Sequence, residues 1–339
     1  MKKFFFCAAA AIVALASCSK TQVVYNDAPQ EIGFKAVTGA ITKAVQSGKL
    51  TGNMGVFAFV NKDKNPYFSN VLFSGTEVWT GGQYWPLQSS LDFVVYAPHG
   101  NVDNGYKASY AGKVLTVANC DNTLNVTEGV AADIKDQTDY LYGAEYYDGA
   151  DTKDEDGNIT TTVTTGYKSG PVATSLKHAL AKITINFTGS NVTVNSVSLA
   201  APHMKGTYTV DYSNPASPVI KWTSSEAWSK DDDNLLQLTQ TGGVLAEAVE
   251  DGSGNVITPA KTATASIMVV PATASNIIVE YTIAESLTSL FATANLAEAT
   301  WDPGTHYVYN ISINPNAIEF SKPTIAGWAQ GAGSDPTIQ

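Results

Sequence analysis

Short segments with apolar residues at every second position recur from residue 30 onward. Leu91, Phe93 and Val95 alternate with their neighbours ahead of a proline at position 98. Because successive side chains of a β-strand point to opposite faces, this period predicts strands with one buried face and one wetter face. The same alternation marks four further segments, which carry Ile183, Ile185 and Phe187; Tyr208, Val210 and Tyr212; Ile277, Val279, Tyr281 and Ile283; and Tyr307, Tyr309, Ile311 and Ile313.

Turn-forming residues cluster between these segments, at residues 101–105, 148–158, 213–218 and 251–255. Two of the clusters contain an Asp-Gly pair, at Asp156-Gly157 and Asp251-Gly252, and such pairs suit hairpin turns. Many strands joined by short turns predict an all-β fold built from β-sandwiches.

Residues 287–294 also fit a helix, because their apolar positions have helical spacing (Leu287, Leu290, Phe291 and Ala294). The threonines in this segment and the clear strand before it favour a strand instead. The chain is longer than one sandwich needs, so we expect two in tandem. A Ser/Gly/Pro-rich stretch from Lys168 to Thr174 marks the seam, which predicts domains at 31–172 and 173–339.

The first 17 residues have the pattern of an export signal. Lys2 and Lys3 precede an apolar run that is too short to span a bilayer, and small residues then lead to Cys18. This order is the one that a lipoprotein signal peptidase accepts, so Cys18 is the predicted lipidated residue and 18–30 the predicted linker. The alternative is a plain cleaved signal followed by an incidental cysteine.

Cysteine content and charge limit what the exported chain can be. Of three cysteines, Cys7 leaves with the signal and Cys18 carries the lipid, so Cys120 has no partner for an intramolecular disulfide. A net charge of −11 has the wrong sign for a protein that holds nucleic acid by its phosphates. All 20 basic residues are lysines, so no guanidinium group is available to clamp an anion from two sides.

Candidates for catalysis or metal binding are weak. The four histidines, His99, His178, His203 and His306, have no second ligand at metal-site spacing. The acidic clusters at 151–156 and 231–233 fit exposed turns better than calcium loops, because the first lacks the ligand types that such a loop needs. No G-x-S-x-G elbow, Walker loop, H-E-x-x-H motif or Cys–His signature is present. Paired carboxylates for sugar hydrolysis stay an open alternative, because their separation is set in three dimensions. We therefore predict no enzyme activity, no metal and no cofactor.

Aromatic residues are dense in the first half of the chain, at Trp79, Tyr84, Trp85 and Tyr96. Exposed rings of this kind can stack on sugars, which would make the chain a monomeric surface lipoprotein that binds glycans. At alternating strand positions such rings more often fill a core, and we favour that interpretation.

Several motifs together resemble the fimbrillin family, the type V pilins and related surface lipoproteins of Gram-negative gut and oral bacteria. No single motif is diagnostic, but their order extends over most of the chain. They are Ile32-Gly33-Phe34, Gly55-Val56-Phe57-Ala58, Tyr84-Trp85-Pro86, Val95-Tyr96-Ala97-Pro98, Asp139-Tyr140-Leu141-Tyr142-Gly143, the run from Leu176 to Ile183, Lys205-Gly206-Thr207-Tyr208, Val269-Val270-Pro271-Ala272, and the run from Trp301 to Tyr309.

The resemblance implies two tandem β-sandwich domains of transthyretin-like topology that assemble by strand exchange. Proteolysis near the N-terminus would remove the lipid together with a first strand that contains Ile32 and Phe34. The groove left behind would accept a donor strand from the tail, residues 316–339, of another subunit. Candidate donor residues are Ile318, Phe320, Ile325 and Trp328. Pro323 lacks an N–H group, so the donor is expected to form two short strands.

The family's arginine-specific processing has no arginine to act on in this chain, so a lysine must substitute. Lys43 follows the first strand and precedes Val56, whereas Lys35 lies inside the strand and Lys49 lies later. Lys43 is the predicted cleavage site. The alternative is that the first strand is never removed, as suits an anchor. The expected location is the outer membrane or a fimbrium, and the expected partners are other copies or related subunits.

Overall fold

We describe the fold from a computed structural model. It describes residues 29–36, 53–60, 66–86, 91–100, 106–122, 134, 137–145, 152–153, 159–161, 170–200, 202–224, 238–240, 244–284, 286, 288–296 and 299–326. Within these residues the regular elements are β-strands, and they include no α-helix. The all-β prediction is therefore confirmed.

Twelve strands precede residue 180: β1 (Glu31–Ala36), β2 (Asn53–Val60), β3 (Pro66–Gly75), β4 (Trp79–Tyr84), β5 (Leu91–Ala97), β6 (Lys107–Ala111), β7 (Val114–Asp121), β8 (Leu141–Glu145), β9 (Thr152–Lys153), β10 (Ile159–Thr161), β11 (Val172–Thr174) and β12 (Lys177–His178).

Thirteen strands follow: β13 (Ala181–Gly189), β14 (Val192–Leu199), β15 (Lys205–Asp211), β16 (Val219–Ser224), β17 (Leu238–Gln240), β18 (Val249–Glu250), β19 (Val256–Thr258), β20 (Ala263–Val269), β21 (Ile277–Ile283), β22 (Ser289–Ala294), β23 (His306–Asn314), β24 (Ala317–Phe320) and β25 (Thr324–Ala326).

The largest sheet closes on itself. Its strand order is β11-β1-β4-β3-β2-β5-β8-β12, so the two strands at its opposite edges are β11 and β12. Only Ser175 and Leu176 separate these two strands along the chain. A single bent segment therefore pairs with β1 at one edge and with β8 at the other, and the sheet forms a barrel.

The inside of this barrel is one apolar core. Strands β1, β2 and β5 supply every second residue to it, as the alternation predicts. Its buried members are Ile32, Phe34, Met54, Val56, Ala58, Phe73, Trp79, Trp85, Leu91, Phe93, Val95, Ala97, Leu141, Val172 and Leu176.

A second, four-stranded sheet with the order β16-β15-β7-β6 packs on the outside of the barrel. The core between them, here called the junction core, includes Phe57, Tyr96, Leu115, Tyr208 and Met268. It explains one departure from the expected pattern: every residue of β5 is buried, because one face of this strand lines the barrel and the other faces the junction core.

Strand pairing continues across the predicted domain seam. Lys205–Asp211 in β15 pairs with β7, and Lys177 and His178 in β12 pair with β8. The division at residue 172, and the tandem transthyretin-like arrangement, stay predictions.

The last part of the chain is a sandwich of two sheets. One has the order β17-β20-β13-β23-β24, with β25 also on β23, and the other has the order β14-β21-β22. Between them lies a core that includes Ile185, Phe187, Val197, Trp301 and Ile311. The segment that also fitted a helix forms β22, so the favoured strand interpretation is correct. Asp251-Gly252 lies in the turn of the β18–β19 hairpin, as expected.

Candidate assembly site

Strand β1 is an interior strand of the barrel, although it comes first in the chain. It pairs in parallel with β11, where Phe34 faces Val172, and antiparallel with β4, where Phe34 faces Trp79. Ile32 and Phe34 are fully buried, whereas Lys35 is exposed. The predicted first strand therefore completes the barrel, with both of its apolar residues in the core.

Phe34 is held by aromatic rings from two other strands. Its ring meets those of Phe73 and Phe93 edge to face, with centroids 5.2 and 5.1 Å apart. Trp85 packs on Phe93 in the same manner at 5.6 Å. Such edge-to-face pairs add about 0.5 to 1.5 kcal/mol each beyond the burial of area. Removing β1 would therefore expose a pocket lined with aromatic side chains.

The backbone of β1 is fixed at its start. The Trp85 N–H donates to the Gln30 carbonyl at 3.0 Å, and the Gly82 N–H donates to the Glu31 carboxylate at 3.0 Å. Gly33 lies beside the start of β4: a Cβ atom built at this position would be 2.9 Å from Cγ1 of Val78, the residue before that strand. The strand therefore fits its slot closely on the outer face as well as on the core face.

Loss of β1 would leave two unpaired edges facing each other across a gap one strand wide. The backbone groups of β4 and β11 that now bond to β1 would turn to water, and the pocket around Phe73 and Phe93 would be open. An unpaired strand edge beside exposed apolar surface accepts another strand. The geometry of the site can therefore support exchange of β1 for a strand of similar pattern.

The predicted donor segment folds back onto its own sandwich. In β24, Ile318 and Phe320 face Ile313 and Ile311 of β23 and are only half-buried. In β25, Ile325 pairs with Tyr307 but is 72% exposed. Trp328 lies outside the described residues. The segment forms two short strands separated at Pro323, as the sequence predicts.

The donor and the first strand carry the same side-chain pattern. Ile32-Gly33-Phe34 in β1 and Ile318-Glu319-Phe320 in β24 both place Ile and Phe two residues apart, so both side chains lie on one face. In β1 these residues are fully buried, whereas in β24 they lie at the edge of a sheet. Placing Ile318 and Phe320 in the positions of Ile32 and Phe34 would complete their burial.

The residues predicted for processing and lipidation are not part of this geometry. Cys18, Lys43 and Lys49 lie outside the described residues. Lys35 belongs to β1 and pairs with Ala173 of β11. A lysine inside a paired strand is a poor protease substrate while the strand stays in place.

Most of the aromatic residues considered for sugar stacking are buried. Trp79 and Trp85 are each 5% exposed and line the barrel, and Tyr96 is fully buried in the junction core. Tyr84 is 45% exposed, and its carbonyl accepts a hydrogen bond from the hydroxyl of Tyr67 at 3.1 Å. These three buried rings cannot stack on a glycan, which agrees with the favoured core interpretation.

The structure also joins two residues that sequence analysis left apart. His178 Nδ1 lies 2.8 Å from Asp139 Oδ2, and the two side chains are 3% and 1% exposed. The two groups are close, but their geometry is not that of an aligned hydrogen bond. Spacing along the sequence relates His178 only to nearby positions, whereas Asp139 lies in another of the motifs that resemble the fimbrillin family. The presence of a polar residue in each of these two motifs is the signal that could have revealed the contact.

Burial governs the acid–base chemistry of the junction core. It raises the pKa of the Tyr96 hydroxyl to about 12, against hydrogen bonds with Gly100 and Asn70 that lower it. It also raises the pKa of the Cys120 thiol, so this cysteine stays protonated and unreactive. The one cysteine expected to remain free in the exported domains is thus a packing residue.

Two absences among the described residues bear on function. Among the described residues, no group of three or more His, Cys, Asp or Glu side chains is placed to hold a metal ion. The same part of the chain has no helix with the length and apolar character that crossing a membrane requires.

Comparison with known proteins gives one matching family and several solved structures with partial similarity. The family model described as fimbrillin-like matches residues 38–328. No curated protein matches the chain.

Three solved structures show this partial similarity. A Bacteroides uniformis protein provisionally assigned to cell adhesion is 17% identical, with a TM-score of 0.46, and the match covers 88% of this chain and 99% of that one. A fimbrial assembly protein from Parabacteroides distasonis is 12% identical, with a TM-score of 0.39 and coverage of 88% and 99%. The tip fimbrial protein Mfa3 from Porphyromonas gingivalis, truncated at its C-terminus, is 12% identical, with a TM-score of 0.39 and coverage of 88% and 98%.

Proposed function

The chain belongs to the fimbrillin-like family, and from this premise we propose that it is a structural or accessory subunit of a surface fimbrium that serves cell adhesion. Its mechanism is assembly: it reaches the outer membrane as a lipoprotein, loses its first strand to a protease and accepts a strand from another subunit. Its partners are other copies of itself or related fimbrial subunits. It needs no cofactor and catalyses no reaction.

Export depends on Cys18. The residues around it support acylation of its thiol, which would hold the unprocessed subunit in the outer membrane. Metabolic labelling with a fatty acid tests this step. We expect label on the wild-type chain and none on Cys18→Ser; label that persists on the variant would contradict it.

Processing is proposed at Lys43. Cleavage there would separate the lipid and β1 from the rest of the chain, because β1 ends at Ala36. Protein shed from the cell surface should then begin at Ala44. If every copy retains the acylated Cys18 instead, the first strand stays in place and the subunit acts as an anchor.

The energetics favour a lasting joint between subunits. Each new backbone hydrogen bond contributes about 0.5 to 1.5 kcal/mol, and each buried anchor such as Ile318 or Phe320 about 1.5 to 3 kcal/mol. Ordering of the tail subtracts from this sum. Since both edges of the inserted strand must unpair before release, the joint also dissociates slowly.

One observation carries this proposal: a fully buried Ile-x-Phe strand closes the barrel, and an Ile-x-Phe strand of the tail is only half-buried on its own sheet. In the proposed exchange the second replaces the first with the same side chains entering the same core, and Val78 moves aside for Glu319, which takes the position of Gly33.

Removal of the tail tests the proposal. Full-length chain and chain ending at residue 315 are digested mildly with a lysine-specific protease and imaged by electron microscopy. We expect fibres from the first and single folded molecules from the second. Fibres from the truncated chain would place the donor elsewhere, and the absence of fibres from both would contradict assembly by strand exchange.

A further inference from the structure

A two-stranded hairpin outside the assembly site exposes three apolar side chains. It comprises residues 247–260, contains β18 and β19, and is called here the distal hairpin. Every residue in it is exposed, including Val249 at 50%, Val256 at 58% and Ile257 at 64%. An isolated two-stranded hairpin is only marginally stable in water. Apolar side chains displayed in this way mark a contact surface.

The tip of the distal hairpin is nevertheless ordered. Asp251 Oδ1 accepts hydrogen bonds from the backbone N–H groups of Ser253 and Asn255, at 2.8 and 2.9 Å. The side-chain amide of Asn255 donates to the other carboxylate oxygen at 2.9 Å. At its base, Ala246 and Lys261 exchange two backbone hydrogen bonds. The hairpin is therefore held in shape before any partner arrives, which lowers the entropy cost of docking.

The hairpin projects from the end of the sandwich that is far from the barrel. Strand β13 leaves the junction core at Ala181 and runs for nine residues to Gly189, about 30 Å at 3.3 Å per residue. The base of the hairpin lies there, because Leu245 exchanges backbone hydrogen bonds with Asn191 and Val192.

The tail strands begin at the same end. Ile313 pairs with Gly189, and Ala317, the first residue of β24, pairs with Asn314. The base of the distal hairpin and the start of the candidate donor strand, β24, therefore lie at the same end of the molecule.

A second apolar patch lies at the opposite end of the molecule. Tyr67, Leu72 and Tyr84, here called the outer patch, are 43%, 46% and 45% exposed on β3 and β4. Tyr84 pairs with Glu31, the first residue of β1. Because β1 runs parallel to β11 toward the junction core, its start is the end that points away from the sandwich.

We propose that the distal hairpin of one subunit docks on the outer patch of a second copy of this chain, beside the groove that receives the donor strand. This inference rests on the proposed function. The partner is a second copy of this chain, because the distal hairpin and the start of the donor strand lie at one end of the molecule. The outer patch and the groove left by β1 lie at the other end. Such a pair of unlike surfaces produces head-to-tail assembly. The hairpin and tail strands together supply roughly the 20 to 30 residues per side that a specific interface uses.

The first test compares two charge variants of the full-length chain after lysine-specific digestion. Ile257→Glu should raise the concentration needed for half-maximal assembly about tenfold or more, since burial of an isoleucine contributes that much to binding. Val219→Glu is the matched control, because Val219 is also apolar and 54% exposed but lies on β16, away from both surfaces. Its assembly should match the wild type. Equal assembly by all three chains would overturn the docking.

A second test uses cysteine pairs, which the burial of Cys120 makes practicable. Chains with Ile257→Cys mixed with chains with Tyr84→Cys should form an intermolecular disulfide on oxidation. Chains with Val219→Cys mixed with Tyr84→Cys should not. Fibres that lack the Ile257–Tyr84 crosslink would overturn the docking and leave strand exchange standing. Binding of a synthetic peptide of residues 316–328 to digested subunits measures strand exchange alone, and Ile257→Glu should not change it.

Discussion

The carboxylate of Asp139 and the imidazole of His178 are in close buried contact, with Oδ2 and Nδ1 2.8 Å apart. The pair joins the loop before β8 to β12, the strand whose pairing with β8 helps close the barrel. The next residue, Ala179, donates its N–H to the Tyr140 carbonyl at 2.7 Å and accepts a hydrogen bond from Trp222 Nε1 at 2.6 Å. The contact between Asp139 and His178 and the backbone hydrogen bonds of Ala179 therefore stabilise the same place, where the barrel, the four-stranded sheet and the sandwich meet.

Removal of one member of this pair should destabilise the protein strongly. We expect Asp139→Asn to lower the free energy of unfolding by about 1 to 3 kcal/mol, because the buried imidazole of His178 then loses its carboxylate partner. Asp121→Asn is the matched control: its carboxylate is also 2.8 Å from a cation, Lys205, but both side chains are half-exposed. That change should cost at most about 1 kcal/mol. Similar losses in denaturant-induced unfolding would show that the buried pair has no special role.

Gly55 should not tolerate a side chain. A Cβ atom there would be 2.1 Å from Cε1 of the Tyr96 ring, which is fully buried. We expect Gly55→Ala to destabilise the chain by about 1 to 3 kcal/mol through overpacking.

Gly252→Ala is the comparison for this change, because a Cβ atom at Gly252 would meet nothing within 4 Å. Thermal unfolding of both variants checks the prediction. An unchanged midpoint for Gly55→Ala would mean that the ring moves aside freely.

The two phenylalanines of the exchanging strands should have opposite effects on folding and assembly. Phe34→Ala should lower the free energy of unfolding of the unprocessed chain by about 3 to 5 kcal/mol, because it opens a cavity among Phe73 and Phe93. Phe320→Ala should change that free energy far less, since Phe320 is half-buried.

After removal of β1 the order reverses. Phe320→Ala should impair assembly, whereas Phe34 has left with the first strand and should have no effect. Light scattering during lysine-specific digestion measures this. Normal assembly by Phe320→Ala would contradict the choice of donor.

Alkaline pH should destabilise the protein through its buried tyrosines. Burial raises the pKa of Tyr96 from 10.0 to about 12, and it raises the pKa of Tyr142 and Tyr208 as well. A folded-state pKa above the unfolded value contributes stability that is complete below about pH 10 and is lost as pH rises toward the folded value.

The free energy of unfolding, measured with denaturant from pH 8 to pH 11, should therefore be constant up to about pH 10 and fall above it. Tyr96→Phe should reduce the steepness of that fall above pH 10 by up to about 1.4 kcal/mol per pH unit. Parallel curves for wild type and variant would contradict the burial of this hydroxyl.

Sequence periodicity predicted the strands well because it reports local burial. Ile32 and Phe34 were correctly expected in the first strand, and Ile318 and Phe320 in a tail strand. The closure of the barrel could not be predicted in the same way. Residues 170–176 are rich in turn formers, and nothing local shows that Val172 and Leu176 line the barrel while their strands pair with β1 and β8.

Residues buried on both faces also escaped prediction. Asp92 is 5% exposed in a strand whose alternation suggests a wet face, because a second sheet covers that side. The pairing of Asp139 with His178 depends on two segments 39 residues apart in sequence. Contacts of this kind follow from topology, which one sequence does not contain.

The proposed strand exchange requires β24 of one copy to take the position of β1 in the next. Ile318 and Phe320 then replace Ile32 and Phe34. Glu319 then takes the place of Gly33, where a Cβ atom would lie 2.9 Å from Val78 Cγ1, so the partly exposed Val78 side chain must move aside. Cysteines at positions 319 and 78 would then approach the Cβ separation of about 3.5 to 4.5 Å that a disulfide requires.

The most direct measurement is therefore oxidation of fibres assembled from Glu319→Cys/Val78→Cys chains after lysine-specific digestion. We predict a ladder of disulfide-linked multimers, and none from either single variant. Fibres of the double variant that fall apart into single chains on a non-reducing gel would contradict the exchange of these two strands.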